Sequence, residues 1–359
     1  MLVNQFWNNL LTNNKHLVKV VSTNNKNGNV LQETLIVLFY FFLIALVVTA
    51  VSACGSSSQS NSPSQPVVVP DSQGGGETPT EEHEDFTLES EVMLSATGAA
   101  SASETYASIE SVFGEGSIEA PDLFTGDHTS TPHILEETDS VVGPHFVFLA
   151  HRDDDFNKGV QSDRQRNEIK TYDKSDNEVL GFEGETMQFE WYFYVASEMS
   201  LTSKFSHFFQ LKARNDSEDN SNGNDDQPVI TLSAVEKDSS GKELQVRHSV
   251  GFNSDGSRTS DVYLVRANWS DIADEWVKVF VQATFAEEGH FIMQITRIRD
   301  DATIIDINKT NIDMWRGVSD EDFIRPKWGI YRSTAEVDKL RQQEERVKFA
   351  DFVIRKGTL

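Results

Sequence analysis

The chain is poor in cysteine, with Cys54 alone among 359 residues, so no internal disulfide can form. It also lacks the His-x-x-x-His and paired-cysteine spacings of zinc sites, and it has no glycine-rich phosphate loop after a strand. These absences argue against a disulfide scaffold, a motif-borne zinc centre and a phosphate-loop nucleotide enzyme. From the sequence we therefore predict no metal-ligand residues, and we expect that the protein requires no cofactor.

Basic residues are scarce as well. Lys and Arg number 31 against 57 Asp and Glu, which gives a formal net charge of −26. A chain this acidic repels nucleic acid at long range, so we expect no nucleic-acid partner. Cations that cluster in such a protein are best explained by a local anion.

One long apolar run, Leu35–Val51, follows a leader that contains lysines and precedes small residues. A basic lead, an apolar run and small residues are the parts of an export signal. Val51–Gly55 further resembles a bacterial lipoprotein cleavage box, in which Cys54 becomes the lipidated first residue. We expect a cell-envelope lipoprotein of the outer membrane or cell surface, held to the membrane by this lipid. A cleaved signal, which gives a secreted protein, and an uncleaved anchor remain alternatives.

Residues 55–104 are rich in Ser, Pro, Gly, Gln and acidic residues. This composition predicts a flexible linker between residues 1–54, the signal, and residues 105–359, the domain. A short helix is expected near Ser103–Val112.

After Pro121 the pattern changes to short apolar or alternating runs, separated by clusters of Gly, Asn and Asp. Such runs without intervening helices predict an all-β fold, a two-sheet antiparallel β-sandwich or jelly roll with a groove on its concave sheet. The predicted strands are His145–Ala150, Arg164–Tyr172, Thr186–Ala196, Phe205–Ala213, Val229–Val235, Leu244–Val250, Val262–Arg266, Trp276–Phe285, Phe291–Arg299, Thr303–Ile307, Lys327–Arg332 and Val347–Ile354.

Two of these strands carry charge in a regular row. Arg164, Arg166, Glu168 and Lys170 occupy every second position, so they share one face of their strand. The segment Arg325–Ser333 repeats the arrangement with a lysine, a glycine and a tyrosine. A solvated outer face would give the same pattern. Two such strands nevertheless favour a groove that binds an anion.

Three short motifs together resemble the β-jelly-roll polysaccharide lyases of the alginate-lyase and heparin-lyase-I type. That family has an Arg-x-Glu-Leu-Arg strand, a Gln-x-His strand and a Lys-x-Gly-x-Tyr strand, in this order. The matching residues are Arg166, Glu168, Ile169 and Lys170 for the first motif, Gln210 and Lys212 for the second, and Lys327, Gly329 and Tyr331 for the third. The resemblance covers roughly residues 105–359. Lys212 stands where the family has its histidine, so the catalytic base is undecided.

The resemblance implies a lyase that cleaves a uronate-containing acidic polysaccharide by β-elimination. Arg166, Gln210 and Lys327 would neutralise the uronate carboxylate, and Tyr331 would transfer protons. Glu168 would hold a cation in place. The base is His207, Lys212 or Tyr331. The remaining substrate-binding candidates are Arg164, Asn167 and Lys170.

Strand alternation places His207 on one face with Phe209 and Leu211, which predicts a core-facing histidine. A β-bulge would turn it toward the groove instead.

Two other functions share this fold. A non-catalytic carbohydrate-binding or adhesion sandwich would not need Tyr331, and a glycoside hydrolase would need paired carboxylates. No Glu-x-Asp-x-x-Glu run occurs, which disfavours hydrolysis. The acidic segments Asn215–Asp226 and Asp153–Asp155 are expected to be solvated loops. A structural calcium ion in the first is unsupported, since the ligand order of a calcium loop is missing. A monomer is expected, and the uronate polymer is unspecified.

Overall fold

The computed structural model describes residues 86–215, 225–251, 257 and 259–359. The predictions for the export signal, for Cys54 and for the linker up to residue 85 lie outside these residues. The same holds for most of the acidic segment Asn215–Asp226. Across the part of the chain that the structure describes, no helix has the length and apolar character needed to cross a membrane.

The described residues form fifteen strands and one α-helix. In chain order these elements are β1 (Thr87–Leu94), α1 (Ala102–Phe113), β2 (Ile118–Glu119), β3 (Ile134–Asp139), β4 (Gly143–Ala150), β5 (Arg164–Lys170), β6 (Thr186–Val195), β7 (Ser206–Arg214), β8 (Pro228–Lys237), β9 (Gly241–His248), β10 (Val262–Asn268), β11 (Val277–Thr284), β12 (Gly289–Arg297), β13 (Ala302–Ile312), β14 (Phe323–Ser333) and β15 (Glu345–Thr358).

The strands build two antiparallel sheets. The first sheet has the order β13-β12-β11-β6-β15-β4-β3, with β1 also paired to β15, and the second has the order β10-β9-β8-β7-β14-β5-β2. The predicted all-β sandwich is thereby confirmed, and all twelve predicted strands are present. The helix expected near Ser103–Val112 is α1.

The core lies between the two sheets. From Met187 to Val195 strand β6 alternates, and its inward residues are buried while the intervening ones are partly exposed. Trp191 from this strand packs against Phe209 and Trp328 of the second sheet, with ring centroids 4.6 and 5.9 Å away. Aromatic contacts of this kind join the sheets across their apolar faces.

Helix α1 closes one side of the core. Ser101 caps the start of the helix, since its side chain accepts from the Glu104 backbone N–H and donates to the Glu104 carboxylate. The helix ends at Gly114, whose φ of 89° suits glycine. Phe113 stacks on Trp328 at 5.9 Å.

The linker prediction is wrong for its last part, because residues 87–94 form β1 and pair with β15. The sandwich therefore begins before residue 105. Strand β1 pairs on one side only, and most of its side chains are exposed, so it lacks the clear apolar alternation that marks the other strands. Strands β2 and β3 were also missed, and β2 is only two residues long.

Strand β7 contains a bulge that decides which side chains face the groove. Phe208 and Phe209 are both buried, and the pairing with β8 shifts between His207 and Phe209. One extra residue reverses the alternation, so His207 shares a face with Gln210 rather than with the core. Of the two alternatives for His207, the β-bulge that turns it toward the groove is therefore the one present, and the core-facing alternative is wrong.

Opposite the bulge, β14 has Gly329 at a φ of 142°, and a Cβ there would come within 2.1 Å of the Asn167 carbonyl oxygen. Only glycine fits this close approach of β14 to β5.

Candidate active site

Strands β5, β7 and β14 lie side by side in the second sheet and form the floor of a cavity of about 330 Å³. Tyr331 pairs with both Arg166 and His207 across the strands, so these three side chains point to the same face. The predicted site residues that line the cavity are Arg164, Arg166, His207, Gln210, Lys212 and Tyr331.

A buried ionic network lies beneath this cavity, and its centre is Glu119 on β2. The Glu119 carboxylate binds Lys327 Nζ at 2.7 Å, Lys170 Nζ at 2.8 Å and Arg166 Nη1 at 3.1 Å. Burial alone would raise the pKa of Glu119, but the charges of Lys327, Arg166 and Lys170 outweigh burial and hold that pKa well below its usual range. Glu119 is therefore ionised at every pH near neutrality.

Glu168 is the second anion of the network. It binds Arg166 Nη1 at 2.6 Å and Lys327 Nζ at 2.7 Å, and it accepts a hydrogen bond from the Gln210 amide. Three buried cations thus meet two carboxylates, so the network carries net positive charge under the cavity. Glu168 holds a cation in place, as the sequence predicted.

The substrate-binding predictions for Lys170 and Lys327 are corrected by this network. Their exposed fractions are 5% and 2%, and neither lines the cavity. Both ammonium groups are turned to Glu119, so they act on the cavity through their charge and not by direct contact. Burial and the charge of Arg166 lower the pKa of Lys327 despite its two carboxylate partners.

The prediction for Asn167 is wrong. Its side chain is buried, and its amide donates to the backbone oxygens of His133 and Leu149 at 2.7 and 3.0 Å. Because alternate residues of a strand face opposite sides, Asn167 points away from Arg166 and Glu168 and joins the two sheets instead.

Arg166 is fixed from several sides. Its Nε donates to Asn157 Oδ1 at 2.9 Å, its Nη1 binds the two carboxylates, and its guanidinium lies 3.9 Å from the centre of the Tyr331 ring. Arg164, which is exposed, donates from Nη1 to the Tyr331 hydroxyl at 3.3 Å. Two guanidinium groups therefore place positive charge around Tyr331.

His207 lies across the cavity floor, with its ring stacked on Phe205 at 4.4 Å and 5.9 Å from the Tyr331 ring. Its Nδ1 is 2.6 Å from Ser233 Oγ, and Ser233 in turn donates to Thr231 Oγ1 at 3.0 Å. Because the Ser233 hydroxyl donates to Thr231, its oxygen accepts the hydrogen bond from His207 in the tautomer that carries Nδ1–H. Nε2 is then the proton-accepting nitrogen of a neutral His207.

Lys212 lies at the cavity edge, where its Nζ donates to the backbone oxygens of Asp225 and Asp226. Burial, together with the charges of Arg325 and Lys327, lowers the pKa of Lys212 to about 7. Its charge near neutrality therefore depends on what else enters the cavity.

Sequence reasoning missed Glu119, Asn157 and Ser233. Glu119 is on a two-residue strand and Asn157 is on a loop, so neither position has a periodic pattern that could reveal it. Ser233 is on β8, which was predicted, but its role depends on the register between β7 and β8.

Outside the cavity, the described residues contain one group with the chemistry of metal ligands: His128, His133, His151 and Asp155. The prediction of a solvated loop is wrong for Asp155, which is 3% exposed and contacts all three histidines.

No family model and no curated protein matches this chain. Among solved structures, an endo-β-1,4-glucuronan lyase from the fungus Trichoderma reesei is 16% identical, with 63% of this chain and 87% of that chain covered and a TM-score of 0.43. A PL-14 alginate lyase from Aplysia kurodai is 11% identical, with 75% and 98% covered and a TM-score of 0.48. A family 7 alginate lyase is 14% identical, with 67% and 94% covered and a TM-score of 0.41.

These structural neighbours are polysaccharide lyases, the family that the sequence motifs resemble. Likeness at this level of identity does not assign an activity to the chain.

Proposed function

We propose that the domain is a polysaccharide lyase that cleaves a uronate-containing acidic polymer by β-elimination. The observation that supports this function is the meeting of Tyr331, His207 and two arginines on one face of the second sheet, above a buried network with net positive charge. A groove with these groups is suited to an anionic substrate and to proton transfer.

The reaction removes the proton on the carbon next to the uronate carboxylate. The electron pair of that C–H bond forms a C=C bond, and the glycosidic C–O bond breaks with a proton delivered to the leaving oxygen. Negative charge grows beside an existing carboxylate in this step. Preorganised donors aimed at such charge are worth about 3 kcal/mol each.

Arg164, Arg166, Lys212 and Arg247 are the cations that line the cavity. An anion close to Lys212 favours its protonated form, so a bound uronate would raise the low pKa of this lysine and keep it charged. We assign Lys212 to carboxylate neutralisation, together with Arg166, whose planar guanidinium is already oriented by Glu168 and Asn157.

His207 is assigned as the base that takes the proton, because the Ser233 hydrogen bond leaves Nε2 as its acceptor. Tyr331 is assigned as the acid that protonates the leaving oxygen. The two groups come from paired positions on neighbouring strands, with ring centroids 5.9 Å apart, so both can reach one sugar residue.

Ultraviolet absorbance tests the proposed function directly. Purified full-length protein is incubated with alginate, glucuronan, ulvan and sulfated glycosaminoglycans, and absorbance of the conjugated product is followed. Elimination leaves a double bond, whereas hydrolysis yields reducing ends without it. A binding module would retain polymer and yield neither product, which would reject the proposal.

Replacing His207 by alanine should lower kcat and kcat/KM equally, by a factor of about 10² to 10⁴, because a base acts in the transition state. Initial rates by ultraviolet absorbance provide the measurement. The matched control is His290→Ala on β12 of the first sheet, where the ring nitrogen is 2.7 Å from Asn308 Oδ1 and should not affect turnover. Undiminished turnover in His207→Ala would shift the base to Tyr331 or Lys212.

We also propose that the protein is exported and lipidated at Cys54, which rests on the Val51–Gly55 sequence alone. Cys54→Ala should release the protein from membranes and leave lyase activity unchanged. Incorporation of labelled fatty acid and membrane fractionation measure this. Absence of label in the parent protein would reject lipidation in favour of a secreted protein or an uncleaved anchor.

A further inference from the structure

Three histidines and an aspartate converge at one end of the β3–β4 pair. His128 and His133 precede β3, His151 follows β4, and Asp155 lies four residues further on. Since β3 and β4 are antiparallel neighbours, the start of one and the end of the other lie close together. One nitrogen of each ring and one oxygen of Asp155 all lie within 4.8 Å of one another.

Four of the six distances between these atoms are close to the edges of a coordination tetrahedron, and the other two, from His128 Nδ1 to the nitrogens of His133 and His151, are at most 4.8 Å. Asp155 Oδ1 is 2.9 Å from His133 Nε2, 3.0 Å from His128 Nδ1 and 3.4 Å from His151 Nδ1. The His133 and His151 nitrogens are 3.2 Å apart. An ion with four bonds of 2.0–2.1 Å has ligand atoms about 3.3 Å apart.

The rings also approach one point from different directions. The three interplanar angles are 76°, 82° and 90°, and the ring centroids are 4.9 to 5.1 Å apart. Parallel stacking would bury ring faces against each other, whereas this arrangement turns three ring edges toward a common centre.

The outer nitrogens of two rings are held by carboxylates. His133 Nδ1 is 3.1 Å from Asp122 Oδ1, and His151 Nε2 is 3.1 Å from Glu344 Oε2. Asp122 is itself fixed by the Tyr106 hydroxyl at 2.9 Å. An outer N–H that donates to a carboxylate leaves the inner nitrogen with its lone pair, and this is the usual surrounding of a metal-bound histidine.

We propose that His128 Nδ1, His133 Nε2, His151 Nδ1 and Asp155 Oδ1 bind one divalent transition-metal ion, with Zn²⁺ as the best match. Imidazole nitrogens suit zinc and its neighbours, whereas Ca²⁺ and Mg²⁺ select six or more oxygen ligands. Four protein ligands complete a tetrahedral shell, which makes the site structural rather than catalytic.

The ion would fix the loop that supports the groove. The backbone oxygens of His151 and Asp155 accept from the Gln165 amide of β5, and Asn157 on the same loop orients Arg166. None of the four proposed ligands lines the cavity, and the metal site does not depend on the proposed activity. The alternative is a metal-free network in which protonated ring nitrogens donate to Asp155.

Metal titration of the untagged full-length protein distinguishes a bound metal ion from the metal-free network. We expect one Zn²⁺ per chain by calorimetry and mass spectrometry, and a Co²⁺ derivative with the strong visible absorption of tetrahedral coordination. Ca²⁺ should not compete. At a Zn²⁺ concentration roughly 100 times Kd, the Tm should exceed that of the chelated protein by about 5–10 °C.

His128→Ala and Asp155→Ala should abolish stoichiometric binding, while His290→Ala, which lies on β12, should retain it. His128 has a partly exposed side chain, so its replacement should be tolerated even if Asp155→Ala fails to fold. Absence of the Co²⁺ spectrum in the parent protein, or one equivalent of Zn²⁺ retained by His128→Ala, would overturn the metal site and leave the hydrogen-bonded network.

Discussion

Replacing Tyr331 by phenylalanine should lower kcat by a factor of about 10² to 10⁴ and leave polymer binding almost unchanged. The substitution removes one hydroxyl, so the ring can still lie 3.9 Å from the Arg166 guanidinium and 5.3 Å from the Phe205 ring. The Arg164 hydrogen bond is lost, but Arg164 is exposed and can bind water instead. Ultraviolet rate measurements give turnover, and calorimetry with the variant gives affinity.

Tyr192→Phe on β6 is the matched control, because Tyr192 is a partly exposed tyrosine in the first sheet. It should behave like the parent protein. Near-normal turnover in Tyr331→Phe, on a polymer that the parent cleaves, would show that another group protonates the leaving oxygen. Loss of affinity together with turnover would instead make the hydroxyl a binding group.

The sequence was sufficient to predict strands that bury one complete apolar face. Strand β6 places Met187, Phe189, Trp191 and Phe193 on its inner face, and all four are buried as alternation requires. Strand β1 was missed since it lies at the side of β15, where few of its side chains enter the core. Periodicity reports burial, so a strand that is mostly exposed gives little signal.

The sequence could predict which strand face the charged side chains of the candidate site occupy, but not how deeply they are buried. Alternation correctly placed Arg166, Glu168 and Lys170 on one face. It could not show that the Glu119 carboxylate forms buried ion pairs with Lys170 and Lys327. Neither could it place His207, because the bulge at Phe208 depends on pairing with two other strands. Long-range pairing decides both features.

The histidine cluster was invisible for a related reason. Its members lie in loops on both sides of a β-hairpin, so they have no regular spacing such as His-x-x-x-His. The fold brings them together, and a search for short motifs finds none of them.

Glu119→Ala should destabilise the protein by roughly 3–5 kcal/mol, because it removes the anion shared by four cations, three of them buried, and leaves Lys170 and Lys327 buried with too little negative charge. The Tm should fall by about 10 °C or more. Urea unfolding at neutral pH measures the free energy. The control is Glu115→Ala, since Glu115 forms an exposed pair with Lys174 that is worth only about 0–1 kcal/mol.

The stability lost in Glu119→Ala should also depend on pH. The folded pKa of Glu119 is depressed, so its contribution is complete above its unfolded pKa of about 4.3 and is lost as pH falls toward the folded value. The variant lacks this carboxylate, so its free energy of unfolding should fall less at acid pH than that of the parent.

Above neutral pH, the buried lysines determine how the stability of the variant differs from that of the parent. Burial lowers the folded pKa of Lys170 to about 8 even with Glu119 present, and removing that anion lowers it further. The unfolded chain then binds more protons than the folded one near neutrality, so the variant should gain stability relative to the parent as pH rises from about 7 to 9. A deficit independent of pH over this range would mean that lost packing, and not unpaired buried charge, causes the destabilisation.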